Sequence, residues 1–139
     1  MEIEFRILSP ADAHLLERVA EDVFDAMPQR ARISAYLASP GHYLMVALLE
    51  GEIVAQAAAV VHRHVDQPTE LCIDNLGVTP RLHRRGIARE MIRRLFELGR
   101  SVGCEEAWVG TEIGNQPARA LCEGLGADGE SFVMYVYEL

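Results

Sequence analysis

The distribution of apolar and polar residues along the chain predicts six β-strands. Residues 2–8 alternate, with apolar side chains on one side and mostly charged ones on the other, as expected of a strand with one buried face. Two apolar runs joined by Glu50-Gly51-Glu52 predict a hairpin. The predicted strands cover residues 2–8, 42–49, 53–62, 70–78, 104–111 and 132–139.

Four segments carry the apolar spacing or the end signals of helices. Ser9 and Pro10 begin the first, which is predicted to extend towards Val23. The other helices are predicted near residues 31–38, 86–102 and 116–124. Strands and helices in this mixed order, without repeats or linkers, predict one α/β (α+β) domain over residues 1–139.

Composition excludes several classes of protein. Half of the residues are apolar, which excludes a disordered chain. No uncharged apolar run approaches the roughly 18 residues of a membrane span, and the N-terminus carries Glu2 and Glu4 instead of a basic signal region. Cys72, Cys104 and Cys122 are odd in number and lack metal-type spacing, which is typical of reduced thiols. The sequence therefore predicts a cytoplasmic protein with no membrane segment and no metal site.

The formal net charge of −8 argues against a nucleic-acid partner, because a phosphate backbone requires a basic surface. The same charge is compatible with a cationic substrate. Against this acidic background, the arginines between positions 81 and 94 stand out.

A strand that ends at Val78 is followed by a basic loop and by the helix that Gly86 opens. The first N–H groups of a helix have no internal acceptor, and the helix dipole adds positive charge there. Arg84, Arg85 and Arg89 bring further charge to the same place. The pattern predicts a phosphate or pyrophosphate site. The nucleoside triphosphatase loop and the dinucleotide fingerprint are both absent.

The segment His83-Arg-Arg-Gly-Ile-Ala88 resembles the Gln/Arg-x-x-Gly-x-Gly/Ala loop of the GNAT family of N-acetyltransferases. His83 departs from the pattern, since Gln or Arg is usual there. The resemblance implies that acetyl-CoA is bound by this loop, through His83, Arg84, Arg85, Gly86, Ile87, Ala88 and Arg89. It also implies the GNAT fold, a mixed and mostly antiparallel sheet of six to seven strands, splayed between strands 4 and 5 and flanked by four helices.

In this fold the end of the fourth strand would pair with the pantetheine arm of the cofactor. The backbone of Leu76, Gly77 and Val78 would supply those hydrogen bonds if the strand splays away from its neighbour. A bulge near residues 75–77 would produce the splay, and a glycine within a strand is a common sign of one. Asn115 would contact the pantetheine, cap the following helix, or do both.

Transfer of an acetyl group to an amine requires a proton acceptor, because an alkyl amine is almost fully protonated at neutral pH. Asp74 lies near the predicted splay, where the family often carries an acidic residue. Alternation places Glu70 and Cys72 on the same strand face as Asp74. Glu112, at the end of the fifth strand, is another candidate base. For all three carboxylates a purely structural role is the alternative.

The leaving thiolate can also receive a proton. In many relatives a tyrosine supplies it, within a pattern similar to Asn115-Gln-Pro-Ala-Arg-Ala-Leu-Cys-Glu-Gly-Leu-Gly126. Here Cys122 stands at the tyrosine position. It would either donate a proton weakly or pack against the cofactor.

Segments 39–44 and 65–78, together with Glu106-Ala-Trp-Val109 and Thr111-Glu112, are similar to the aminoglycoside 3-N-acetyltransferase type I branch. The resemblance implies direct transfer of an acetyl group from acetyl-CoA to a primary amine of a small cationic acceptor, aminoglycoside-like or polyamine. The alternatives are a protein or peptide N-acetyltransferase and a CoA-binding module without catalytic activity. A homodimer is left open.

Overall fold

The computed structural model describes residues 2–139 and contains one mixed sheet, in the strand order β1-β2-β3-β4-β5. The neighbouring pairs from β1 to β4 are antiparallel, and β5 joins β4 in parallel. The strands are β1 Glu4–Ile7, β2 His42–Leu49, β3 Glu52–His62, β4 Glu70–Val78 and β5 Glu106–Val109. The sheet is therefore mixed and mostly antiparallel, as predicted.

The chain divides into two compact units, the first ending at Val109 and the second running from Gly110 to Leu139. The first unit contains the sheet, a 3-10 helix at Pro10–Glu17, helix α1 at Arg30–Ala38, a short 3-10 helix at Pro80–Leu82 and helix α2 at Ile87–Ser101. The second unit contains helix α3 at Gln116–Gly124. Among the helices of residues 2–139, none has both the length and the apolar character needed to cross a bilayer.

The predicted first helix is present but shorter and more tightly wound than expected. It is a 3-10 helix that ends at Glu17 instead of continuing towards Val23. Its start agrees with the prediction, because the Asp12 carboxylate accepts hydrogen bonds from the Ser9 backbone N–H at 2.9 Å and from the Ser9 hydroxyl at 3.0 Å. These bonds stabilise the charged form and hold the pKa of Asp12 below its ordinary value.

The two faces of the sheet are covered by different helices. Side chains of β2 such as Leu44 and Val46 form a core with Leu16 of the first 3-10 helix and with residues of α1. On α2, Met91, Ile92 and Leu95 are buried, and this helix packs along β2, β3 and β4. Successive strand residues point to opposite faces, so the continuous apolar runs of β2 and β3 follow from burial on both sides.

An extra residue interrupts β4 at Asp74. Ala59 pairs with Ile73 and Ala58 pairs with Asn75, so Asp74 has no partner on β3. This is a β-bulge, one residue before the segment in which the sequence predicts it. Pairing between β4 and β5 ends at Ile73 and Val109, and the rest of β4 has no partner on β5. The ladder therefore stops one residue before the bulge, at the last residue of β5.

The prediction of six to seven strands was wrong, because the sheet has five. Residues 132–139 form no strand, and their large apolar side chains are at least 66% exposed. Alternation identifies residues that can share a face, whereas a strand also requires a neighbour whose N–H and C=O groups it can pair with. The fifth strand is also shorter than predicted, covering four residues, Glu106–Val109.

Gly77 provides a test of how closely the backbone near Val23 packs against β4. A Cβ atom at Gly77 would lie 2.2 Å from the carbonyl oxygen of Val23, which also accepts a hydrogen bond from buried Gln56 at 3.2 Å. We expect Gly77→Ala to lower the free energy of unfolding by about 2 kcal/mol or more, because backbone atoms must move to admit the methyl group. Urea denaturation measures this loss.

Gly114→Ala is the control, since Gly114 has open space around its Cβ position and no left-handed φ. That variant should stay within about 0.5 kcal/mol of the parent protein. Equal stability of the two variants would contradict the close approach at Gly77.

Candidate functional site

Gly86 forms the N-cap of α2 with a left-handed backbone, at φ 77° and ψ 10°. A Cβ atom there would meet nothing within 4 Å, so the glycine is needed for its backbone angles and leaves open space beside the helix end. The first intrahelical hydrogen bond of α2 runs from the Glu90 N–H to the Gly86 carbonyl at 3.0 Å. The N–H groups of Ile87, Ala88 and Arg89 precede this bond and have no acceptor within the helix, so they are available to an anion.

The arginines next to this helix end are not neutralised by the protein. Within residues 2–139, Arg84, Arg85 and Arg89 are exposed and form no ion pair. By contrast, Arg81 pairs with Glu52 at 3.1 Å and Arg94 pairs with Glu90 at 3.0 Å. We name Arg84, Arg85, Arg89 and the first turn of α2 the cationic loop.

Arg84 adopts a left-handed backbone with φ 62°. This conformation costs a non-glycine residue about 1–2 kcal/mol. Strained residues of this kind cluster at functional sites, where the surrounding structure holds them in place. Asp22 and Glu50 also have a positive φ, so the strain at Arg84 is compatible with a ligand site but does not by itself identify one.

His83 makes a specific contact with the end of β4. Its Nε2 atom lies 2.7 Å from the carbonyl oxygen of Val78, and because a carbonyl only accepts, Nε2–H is the donor. In the neutral ring the remaining nitrogen, Nδ1, is an acceptor. His83 can therefore donate to a phosphate only when both ring nitrogens are protonated. This condition limits the contribution to acetyl-CoA binding that the sequence resemblance implies for His83. The contact also anchors the loop to β4.

Leu76, Gly77 and Val78 occupy the part of β4 beyond the bulge. They pair with β3 on one side only, because the ladder to β5 has ended at Ile73. A strand edge without a partner can accept an added extended chain. This edge leads through Thr79 and the short 3-10 helix into the cationic loop.

Asp74 is exposed at the bulge, and its charge reaches the core side of the sheet. Burial and the negative charge of Asp74 together raise the pKa of Tyr36 to about 12. The Tyr36 hydroxyl donates to the carbonyl of Tyr43 at 2.8 Å and lies 3.3 Å from that of Ala59. Burial, followed by the charge of Glu70 and a smaller effect of Asp74, raises the pKa of Cys72. The negative charge of Asp74 therefore acts on both Tyr36 and Cys72.

Glu70 is not a free carboxylate. Its Oε1 atom lies 2.5 Å from Nε2 of His64 and 3.9 Å from Nδ1 of His62. Neither histidine was identified from the sequence. The available signal was the His-x-His spacing at the end of β3, opposite an acidic residue that begins β4.

The remaining predicted site residues belong to the second unit. Asn115 Oδ1 accepts a hydrogen bond from the Ala118 N–H at 3.2 Å, which confirms its role as a helix cap. Glu112 is exposed, and its backbone carbonyl accepts from the Asn115 N–H at 3.0 Å. Cys122 is half-buried in α3, and burial, with a contribution from Glu123, raises its pKa. A raised pKa keeps the Cys122 thiol protonated and makes it a weaker acid.

The solved structures that share the fold include three aminoglycoside acetyltransferases and a ribosomal-protein-alanine N-acetyltransferase. One, from an uncultured soil metagenomic sample, has 29% identity and a TM-score of 0.85, with 100% of both chains covered. Another from an uncultured soil metagenomic sample, in complex with sisomicin, has 21% identity and a TM-score of 0.85, covering 99% of this chain and 96% of that one.

The third is AAC(6')-Iy in complex with a bisubstrate analogue, CoA-S-monomethyl-acetylneamine, at 18% identity and a TM-score of 0.83. The aligned region covers 100% of this chain and 99% of that one. No curated protein sequence matches the chain. Residues 10–127 match the Acetyltransferase (GNAT) family. Since the match takes in most of the sequence, the chain belongs to the GNAT family and is an N-acetyltransferase, with an acyl-CoA as its co-substrate.

Proposed function

We propose that the protein transfers the acetyl group of acetyl-CoA directly to a primary amine of a small cationic acceptor. The amine nitrogen attacks the thioester carbonyl, the C–S bond breaks, CoA leaves as the thiolate, and the amine loses its proton to a base. The observation that carries the proposal is the cationic loop, a helix N-terminus with three exposed arginines that form no ion pair within residues 2–139, next to a strand edge without a partner on β5.

The cationic loop suits the pyrophosphate of CoA in charge and in backbone geometry. N–H groups at the start of α2 favour an anion, and Arg84, Arg85 and Arg89 add charge. The carboxylate in the first turn of α2, that of Glu90, is paired with Arg94. The β4 edge at residues 76–78 is the segment that would pair with the pantetheine arm. One of its N–H groups would polarise the thioester carbonyl.

Asp74 is the base that we propose for the amine. It is exposed at the bulge, and within the described chain its side chain makes neither an ion pair nor a hydrogen bond. An unengaged carboxylate can attract a cationic amine and then accept its proton, directly or through water. Glu70 and Glu112 remain the alternative bases.

A small polycation is the proposed acceptor, either aminoglycoside-like or a polyamine. The net charge of −8 favours a cationic partner, and several of the solved structures with this fold are aminoglycoside acetyltransferases. The acetylated position, including the 3-amino group suggested by the sequence resemblance, is part of this proposal. Release of CoA in the presence of a panel of amines would identify the acceptor.

Three further properties belong to the proposal. Both units would form a single acetyltransferase domain, supported by a family match that crosses from the first unit into the second. A cytoplasmic location is supported by the three free cysteines. A homodimer is supported by the exposed apolar residues in the segment 132–139, because an apolar surface of this kind commonly marks a contact with another protein.

Replacement of Gly86 by Glu should abolish the rise in melting temperature caused by acetyl-CoA. The new carboxylate would place negative charge and bulk where the pyrophosphate is expected. A ligand at 100 times its Kd stabilises the native state by about 2.7 kcal/mol, so the loss is measurable by thermal denaturation.

Gly103→Glu is the matched control, since Gly103 lies just beyond the opposite end of α2. Both glycines have a left-handed φ, +77° and +93°, and neither has an atom within 4 Å of its Cβ position. The control should lose stability to a similar degree yet keep the acetyl-CoA shift. A shift retained in Gly86→Glu, or lost equally in both variants, would refute the site.

Asp74→Asn should lower kcat at neutral pH by about 10²–10⁴-fold, the usual contribution of a general base. Part of the loss should be recovered as the pH rises, because more of the amine is then already neutral. Steady-state kinetics across a pH series measures both effects, and Asp66→Asn, on the exposed β3–β4 loop, is the control. A higher KM with unchanged kcat would instead assign Asp74 to cation binding.

Cys122→Ala should leave kcat within about tenfold of the parent enzyme, because we propose that this thiol packs and does not donate a proton. Its raised pKa, caused mainly by burial, agrees with that role. Cys104→Ala is the control, as Cys104 is also half-buried with a pKa raised by burial. A loss of about a hundredfold or more in Cys122→Ala alone would identify the thiol as the acid.

A further inference from the structure

We propose that His62, His64 and Glu70 form a binding site for a divalent transition-metal ion, with Zn²⁺ as the best fit. One ligand atom from each residue is available, and the three atoms all lie within 4.8 Å of one another. The cysteine pattern predicts no metal site, and this cluster uses none of the three cysteines.

The hairpin between β3 and β4 brings the three side chains together. His62 ends β3 and Glu70 begins β4, and the two residues are direct cross-strand partners. Such partners have Cβ atoms about 4.5–5.5 Å apart, so the register of the sheet sets their separation. The loop after β3 brings His64 back to Glu70. The centroids of the His62 and His64 rings lie 4.2 Å apart, and the two ring planes are tilted by 36°.

The distances between the candidate ligand atoms lie on either side of the value expected for a tetrahedral site. Bonds of about 2.0–2.1 Å from Zn²⁺ to nitrogen and oxygen separate neighbouring ligand atoms by about 3.4 Å. Glu70 Oε1 lies 2.5 Å from His64 Nε2 and 3.9 Å from His62 Nδ1, one distance shorter and one longer than this value. Movements of about 1 Å in side-chain rotamers would therefore admit the ion without a change in the backbone.

An isolated ion pair between His64 and Glu70 explains only part of this arrangement. The side chain of His62 is 55% exposed and makes no hydrogen bond within the described residues, yet its Nδ1 faces the same carboxylate oxygen. Each imidazole carries a ring nitrogen that can ligate a metal ion, so the two stacked rings can bind the same cation.

The donor set selects the class of ion. Two imidazole nitrogens and one carboxylate suit Zn²⁺ and its neighbours, while Ca²⁺ and Mg²⁺ prefer oxygen ligands. Three protein ligands with a fourth position left to water is a common arrangement for zinc. Bound metal would join the ends of β3 and β4 and occupy the Glu70 carboxylate. The proposal does not depend on acetyl transfer, since its readouts are binding and stability.

Titration of the chelator-treated full chain with Zn²⁺, followed by calorimetry, tests the site. We expect one ion per chain and a higher melting temperature in its presence. His62→Ala and Glu70→Gln should each raise Kd at least tenfold, and His14→Ala, on the first 3-10 helix, should not. His62→Ala is the decisive variant, because an exposed side chain without a hydrogen bond can be removed with little effect on folding.

An unchanged Kd in His62→Ala would overturn the proposal, because it would show that His62 is not a ligand of the ion. The absence of saturable binding below about 10 μM, a free energy near −7 kcal/mol, would also overturn it. Equal weakening in His14→Ala would show that Zn²⁺ binds at scattered surface histidines instead.

Discussion

The β-bulge at Asp74 is the constraint on which the rest of the candidate site depends. Before it, β4 pairs with strands on both sides, and after it β4 keeps only β3. The β4–β5 ladder stops at Ile73, the residue before the bulge, and a bulge bends its strand and increases the local twist. The extra residue thus coincides with the exposed carboxylate and with the start of the strand edge that has no partner on β5.

Other contacts fix the end of β4, where the strand has no partner on β5. The carbonyl of Val23 lies directly against Gly77, and Gln56 on β3 donates a hydrogen bond to that carbonyl. Further along, His83 donates to the carbonyl of Val78 and links the strand to the loop. These contacts fix the position of residues 76–78, which have no partner on β5.

Local patterns made much of this site predictable. Gly86 and the arginines near it are informative because helix ends have fixed requirements, and the structure places Gly86 at the N-cap of α2. Similarly, Asn115 caps α3, as its position before Gln116 and Pro117 suggests. The bulge was predicted one residue late because a glycine marks the disturbed part of a strand without specifying which residue loses its partner.

Long-range features were not predictable in the same way. The apolar segment 132–139 has the composition of a strand, but composition carries no information about an available neighbour. The contact between His64 and Glu70 depends on the path of a seven-residue loop, residues 63–69, which no periodic pattern determines. In both cases the missing information is which distant backbone lies next to the segment.

The two carboxylates of β4 illustrate how position separates chemical roles. Asp74 projects at the bulge with no partner among residues 2–139, whereas Glu70 lies half-buried against His64. A base must be free to approach the amine and to take up its proton, and a carboxylate already held by an imidazole meets the first condition poorly. The same bond orients the Glu70 carboxylate, which favours binding of a cation instead. The two residues lie four positions apart on one strand, on opposite sides of the point where the β4–β5 ladder ends. This difference in surroundings is why we propose proton transfer for Asp74 and metal ligation for Glu70.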